Sequence, residues 1–233
     1  MGWQFRTYDS WLDDWFTGFH YDDPNGNRQW VSVDDPTQPQ LELPRRRPLR
    51  HNADGRRLIS MEHAAKFAKM GLDEYKLAES SPFVSVLREG RLGRPAVVYR
   101  LDRPGHYYYL APWEMASGIG GFVEVDARFG VFKSFQSFAA PAKELLLDDK
   151  MPRLHEEIAR RVEGLKIELD DQRGFVRIRP GGYALLPFLV WRPCRESWSP
   201  SLPFHMISTG GQTVYVRIDG EVFTHLTTNV RGC

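Results

Sequence analysis

The chain has 233 residues, of which 42% are hydrophobic, and a formal net charge of +1 at pH 7. This length and composition allow one large domain or two small ones around a well-buried core, and the near-zero charge disfavours nucleic acid as a partner. The first residues lack the basic-then-apolar order of a secretory signal, and no apolar run reaches the roughly 18 residues that span a bilayer, so we expect a cytoplasmic protein with no membrane partner.

Residues 1–57 are predicted to form an N-terminal arm rich in aromatic residues, arginine and proline. The arm ends in PRRRPLRHNADGRR, which places six arginines between Arg45 and Arg57. Such a segment is typical of an exposed linker or wrapping arm whose charges face solvent. A patch that binds anions or an acidic peptide is the alternative, because guanidinium groups recognise carboxylates and phosphates.

Residues 58–140 are predicted to form a first unit, a helix followed by strands. Apolar residues at helical spacing after Ser60, a possible N-cap, and before Gly71, a possible stop, predict a helix over about 60–70. RPAVVYRL and HYYYLAPW, separated by DRPG, predict two strands joined by a tight turn. GFVEVDARFGVFKSF predicts a second hairpin.

Residues 141–233 are predicted to form a second unit of the same kind. Leu154, Ile158 and Val162 form an i, i+4 stripe, which predicts a helix ending near Gly164. Strands are predicted in KIEL, GFVRIR, GYALLPFLVW, QTVYVRI and EVFTHLTT. The sequence therefore predicts an α+β fold of two similar helix-plus-antiparallel-sheet units. An internal duplication or recurrent hairpin patterns would explain the similarity.

The two units differ by an insertion in the second. Both carry Leu-x-Pro-aromatic followed by Val-x-Val, but Pro112 precedes Val123 by 11 residues whereas Pro187 precedes Val214 by 27. The extra 16 residues predict an inserted loop over 190–206, which contains WRPCRESWSPSLPFH. Insertions in repeated units map to loops, and a loop rich in Trp, Arg and Pro on a rigid sheet is a common place for binding.

The first unit also carries a family resemblance. The run Val125-Asp126-Ala127-Arg128-Phe129-Gly130, behind a helix and a YYYL strand, resembles the PepSY-type module, in which strands often carry Val-Asp-Ala-x-x-Gly. The resemblance covers residues 58–138, and the second unit has Asp219-Gly220 without the Val-Asp-Ala lead. It implies a small helix-plus-sheet fold and peptide or propeptide binding, including peptidase inhibition.

Cys194 and His205 are the candidate catalytic pair. A cysteine nucleophile needs a base, here His205 or His225, and an orienting carboxylate, here Glu196 or Asp219. Cys194 follows a proline in an irregular segment, whereas a low thiol pKa is favoured at a helix N-terminus, so a packed, inert thiol is the preferred interpretation. A cysteine-dependent hydrolase or transferase is the alternative. No paired Cys or His spacing indicates a metal, and no glycine run precedes a helix to bind a nucleotide phosphate, so we expect neither metal nor cofactor.

Aromatic residues and arginines are the candidate binding residues. Tyr107 and Tyr109 share a strand face with Trp113, which is typical either of a buried face or of a binding ladder. The leading hypothesis is a non-catalytic accessory protein that binds a peptide or protein, such as a precursor peptide held for modifying enzymes. A self-associating structural protein with a homodimer interface is a further alternative. The inserted loop would supply the remaining binding residues, Trp191, Arg192, Arg195, Trp198 and His205.

Overall fold

The computed structural model describes residues 3–6, 18–22, 28–32, 58–147, 151–168, 175–209 and 211–227. Most of the predicted arm, including its arginines between 45 and 57, lies outside these residues. The described parts of the arm are a strand and a two-stranded antiparallel hairpin. These elements are β1 (Gln4–Arg6), β2 (Gly18–Asp22) and β3 (Arg28–Ser32).

The first helix begins where the sequence predicts and ends later. The Ser60 hydroxyl accepts a hydrogen bond from the backbone N–H of His63 at 3.2 Å, as an N-cap residue does. The helix continues through Gly71, which lies against the sheet. A Cβ at that position would lie 2.2 Å from Cγ of Phe132, so the missing atom allows the close approach. A 3₁₀ turn (Leu77–Glu79) follows it. The helices are α1 (Met61–Glu74), α2 (Val84–Glu89), which was not predicted, and α3 (Met151–Val162).

Ten of the described strands form one sheet, in the order β1-β8-β7-β6-β5-β11-β12-β13-β14, with β4 also paired to β6. A separate hairpin, β9 with β10, follows α3. The hairpins predicted from turn residues are present. The strands are β4 (Arg91–Leu92), β5 (Ala96–Arg100), β6 (Tyr107–Met115), β7 (Gly118–Asp126), β8 (Phe132–Ala142), β9 (Lys166–Glu168), β10 (Phe175–Arg177), β11 (Ala184–Trp191), β12 (Phe204–Thr209), β13 (Gln212–Arg217) and β14 (Val222–Phe223).

The two units meet along one parallel strand pair at the centre of the sheet. Val98 lies opposite Leu189 in β5 and β11, and the register continues for two more residues to Trp191. The other pairs of the described sheet are antiparallel. Strands β5 to β8 and strands β11 to β14 each form a four-strand meander preceded by a helix, and β1 and β4 add to the first side by pairing with β8 and β6. The fold is therefore α+β as predicted. Whether the shared order is an internal duplication stays a prediction.

The helices of the two units pack on opposite faces of the shared sheet. Val98 lies opposite Leu189, which in turn lies opposite His205. His205 lies opposite Val216, and Val216 shares a core cluster with α3. Tyr108 is the register partner of Val98, so Tyr109, the next residue, points to the other face. Tyr109 belongs to the core cluster under α1, which therefore packs on that other face. None of the described helices combines the length and the apolar character that a membrane span requires.

The irregular part of the predicted insertion is shorter than expected. Trp191 ends β11 and Phe204 begins β12, a strand that pairs on both sides and that the sequence did not predict. Residues 192–203, hereafter the Trp198 loop, fold over the first unit: the Tyr108 hydroxyl donates to the carbonyl of Pro200 at 2.6 Å, and the Ser199 hydroxyl donates to the Gln136 side chain at 2.7 Å.

Candidate functional site

The predicted aromatic ladder of β6 lies largely inside the fold. Tyr109 is buried and its hydroxyl donates to the carbonyl of Ile59 at 2.6 Å, and this burial raises the pKa of the phenol. Trp113 is buried as well, and its indole N–H donates to the carbonyl of Val86 in α2 at 2.9 Å. Tyr107 is half-buried. Tyr109 and Trp113 therefore anchor the segments that cover this face of the sheet.

Trp191 and Cys194 anchor the Trp198 loop from below. Trp191 is fully buried, and its indole N–H donates to the Ser197 hydroxyl at 3.2 Å. The Cys194 thiol is buried beside the same turn, where its Sγ lies 3.7 Å from the carbonyl of Ser197. Burial raises the pKa of this thiol to about 11. Both side chains therefore face the protein interior.

The candidate catalytic pair is not joined by a hydrogen bond. Nε2 of His205 lies 2.8 Å from the carbonyl of Leu146, in the segment that leads to α3, whereas the thiol of Cys194 is directed to Ser197. Burial lowers the pKa of His205 and raises that of Cys194, so both groups are neutral near pH 7. A cysteine nucleophile needs the opposite arrangement, a thiolate next to a base. Within the described ranges, moreover, no three His, Cys, Asp or Glu side chains cluster in a way that could hold a metal ion.

Trp198 and Arg195 are the side chains of the loop that point outward. Trp198 is 64% exposed, and its indole N–H donates to the carbonyl of Arg195 at 3.0 Å. Arg195 is exposed, while its backbone N–H donates to Thr227 at 3.3 Å. Arg192 is half-buried and donates to the carbonyl of Leu226. The exposed indole therefore stands on a loop that the rest of the fold holds in place.

A partly exposed apolar surface lies next to this loop. By strand alternation, Tyr99 points away from the face of Val98, and Tyr215 points away from Val216, so both lie on the face opposite α3. Arg217 connects the surface to the loop, because its guanidinium donates to the carbonyl of Glu196 and lies 5.5 Å from the ring centre of Phe223. This surface, hereafter the aromatic face, consists of the half-buried side chains of Tyr99, Phe188, Met206, Tyr215 and Phe223.

A cavity of about 430 Å³ lies at the start of the parallel pair. Leu185 lies opposite Ile207 and Leu189 opposite His205, so β11 carries two more residues than β12 between these pairs. The bulge separates β11 from the beginning of β5. The cavity was not predicted from the sequence, although Pro187 inside a predicted strand is the signal of a bulge. The cavity is lined by Met61, residues 94–97, residues 146–147, Leu154, residues 185–189 and His205.

Comparison with known proteins gives no match: no family model matches the chain, and neither curated proteins nor solved structures match it. Function is therefore inferred from the side chains and their surroundings.

Proposed function

We propose that this chain is a non-catalytic binding protein that holds an extended segment of a peptide or protein partner on the Trp198 loop and the adjoining aromatic face. The observation that carries the proposal is the 64% exposure of Trp198 on an otherwise anchored loop. Tryptophan is usually well buried, and exposed tryptophan next to arginine is the composition of binding hot spots.

The anchoring of the loop supports binding because it lowers the entropy cost of association. The indole of Trp198 is held by the carbonyl of Arg195, and Trp191 and Cys194 fix the loop from inside. Two backbone hydrogen bonds between Cys194 and Ser197, each 3.2 Å, close the turn beneath it. A side chain that is already ordered loses less conformational freedom when a partner binds.

The side chains at the surface indicate the chemistry of the partner. Arg195 adds an exposed positive charge to the loop that carries Trp198, and the aromatic face adds apolar area. A segment with acidic and apolar residues, such as a precursor peptide held for a modifying enzyme, would match both features. The PepSY-type resemblance of residues 58–138 points in the same direction, since that family is associated with peptide binding.

The experiment selects peptides from a random 12-residue library displayed on phage, using the full chain as bait, and measures their affinities by fluorescence anisotropy. We expect Trp198→Ala to weaken binding by about 30-fold, the effect of losing roughly 2 kcal/mol at a hot spot. Trp3→Ala is the matched control, because Trp3, which directly precedes β1, is 53% exposed, and this variant should bind as the wild type does. Unchanged binding by Trp198→Ala, or a selection that yields no binder, would refute the proposal.

Self-association is the second candidate, favoured by the same exposed indole. In that case Trp198 of one copy would bury itself against a second copy, and the complex would depend on protein concentration. Size-exclusion chromatography with light scattering separates the two functions. A dimer that becomes a monomer in Trp198→Ala supports self-association, whereas a monomer at tens of micromolar that binds selected peptides supports peptide binding.

A further inference from the structure

The cavity beside β11 has a single buried polar side chain in an apolar wall. Six leucines from β11, from α3 and from the segment before α3 contribute to the lining, and Arg94 is exposed at its rim. His205 is 5% exposed and completes the wall. A volume of about 430 Å³ falls within the roughly 300–1,000 Å³ of small-molecule sites in proteins.

The hydrogen bond of His205 determines which ring nitrogen is left to a ligand. The carbonyl of Leu146 can only accept, so Nε2, at 2.8 Å, carries the proton and donates it. In the neutral ring Nδ1 then has an unshared electron pair. Within the described part of the chain, Nδ1 has no hydrogen-bond partner. His205 therefore carries an unused hydrogen-bond acceptor among mostly apolar lining residues.

We propose that this cavity binds a small, neutral, mostly apolar molecule with one hydroxyl group, whose O–H donates to Nδ1 of His205. The apolar lining favours an apolar body, and burial away from water disfavours an ion. A hydroxyl supplies a donor that the free electron pair of Nδ1 can accept. The cavity shares Phe188 with the aromatic face but no residue with the Trp198 loop, so a ligand here can be tested apart from the role of Trp198.

The first test compares p-cresol with p-xylene, which have nearly the same shape but differ by a hydroxyl in place of a methyl group. We expect p-cresol to bind the wild-type chain about 3- to 10-fold more tightly in isothermal titration calorimetry, the ratio that one net hydrogen bond gives. In nitrogen-15 NMR spectra of the histidine side chains, the Nδ1 resonance of His205 should move with p-cresol and not with p-xylene. Equal binding of both compounds, binding of neither, or an unmoved Nδ1 resonance would overturn the proposal.

The second test uses two variants. Leu186→Trp fills the cavity and should abolish binding of both compounds, while thermal unfolding confirms that the chain is folded. His205→Leu should keep p-xylene binding and lose the preference for p-cresol. Selected peptides should bind Leu186→Trp as they bind the wild type, which separates this site from the Trp198 loop. Retention of p-cresol binding in Leu186→Trp would place the ligand elsewhere and refute the assignment.

Discussion

The Cys194 thiol shows how strongly position changes the chemistry of a residue. Its burial raises the pKa to about 11, so at pH 8 the thiolate fraction is about a hundredfold lower than for a cysteine in water. In a Cys233→Ser background, which leaves Cys194 as the single thiol, we expect Ellman's reagent to react at least about a hundredfold more slowly with the native chain than with the chain in urea. The rate should rise as the pH approaches 11.

The same measurement tests the cysteine-dependent alternative. An activated nucleophile would react fast at pH 7 and titrate well below the ordinary thiol pKa of about 8.5. A titration of that kind in the native chain would contradict the buried position of Cys194 and would favour an enzyme. Serine at position 233 is the control that assigns the signal to Cys194.

At the residue scale, the sequence predicted which residue types matter but not which of them are exposed. Trp191 and Trp198 lie seven residues apart in the same stretch, yet the first is fully buried and the second is 64% exposed. The difference depends on partners that are distant in the sequence or that the turn brings close: Trp191 packs against Tyr108 of the first unit and donates to Ser197. Local composition carries no information on either contact.

At the element scale, α1 depends on a glycine that its sequence would place at a helix end. A Cβ at Gly71 would lie 2.2–2.4 Å from three side-chain atoms of the Phe132 ring system. Helix propensity favours Gly71→Ala by roughly 1 kcal/mol, but overpacking at a buried contact costs about 1–3 kcal/mol. We expect overpacking to win, because Phe132 is itself held by the rings of Phe5 and Tyr75.

Urea unfolding checks this prediction. Gly71→Ala should lower the free energy of unfolding by up to about 2 kcal/mol, the difference between the two effects. Met70→Ala, at the exposed neighbouring position of the same helix, is the control and should change it by less than about 0.5 kcal/mol. A stabilised Gly71→Ala chain would show that α1 can move away from Phe132 at little cost.

Elements with local signals were predictable, and elements defined by distant pairing were not. The turns DRPG and Asp219-Gly220 predicted their hairpins, because turn residues act on the adjoining backbone. β12 was missed because the first half of FHMIST, residues 204–206, lies in the segment that the repeat spacing assigned to an insertion, and its strand character comes from pairing with β11 and β13. The bulge of β11 is likewise defined by its register with β12, so the local sequence does not determine it, although Pro187 marks its position.

At the scale of the whole molecule, the sequence predicted two units but not how they join. Parallel pairing of β5 with β11 leaves no turn signal between them, since the strands are more than 80 residues apart in the chain. The Trp198 loop adds a second connection that composition did not indicate, because residues that were predicted to display side chains also cover Tyr108 of the first unit. The candidate binding surface is therefore built on the junction itself.

The junction predicts that the two units unfold together. Trp191 pairs with Arg100 across the parallel strands, lies 4.6 Å from its guanidinium and contacts the ring of Tyr108, so it belongs to the cores of both units. Trp191→Ala should cost about 3–5 kcal/mol, a large share of the roughly 5–15 kcal/mol that stabilises a domain. Amide hydrogen exchange should then lose protection equally in α1 and in α3, whereas Trp198→Ala should leave both unchanged. Loss confined to α3 would mean that the first unit folds by itself and that the sheet is shared without being cooperative.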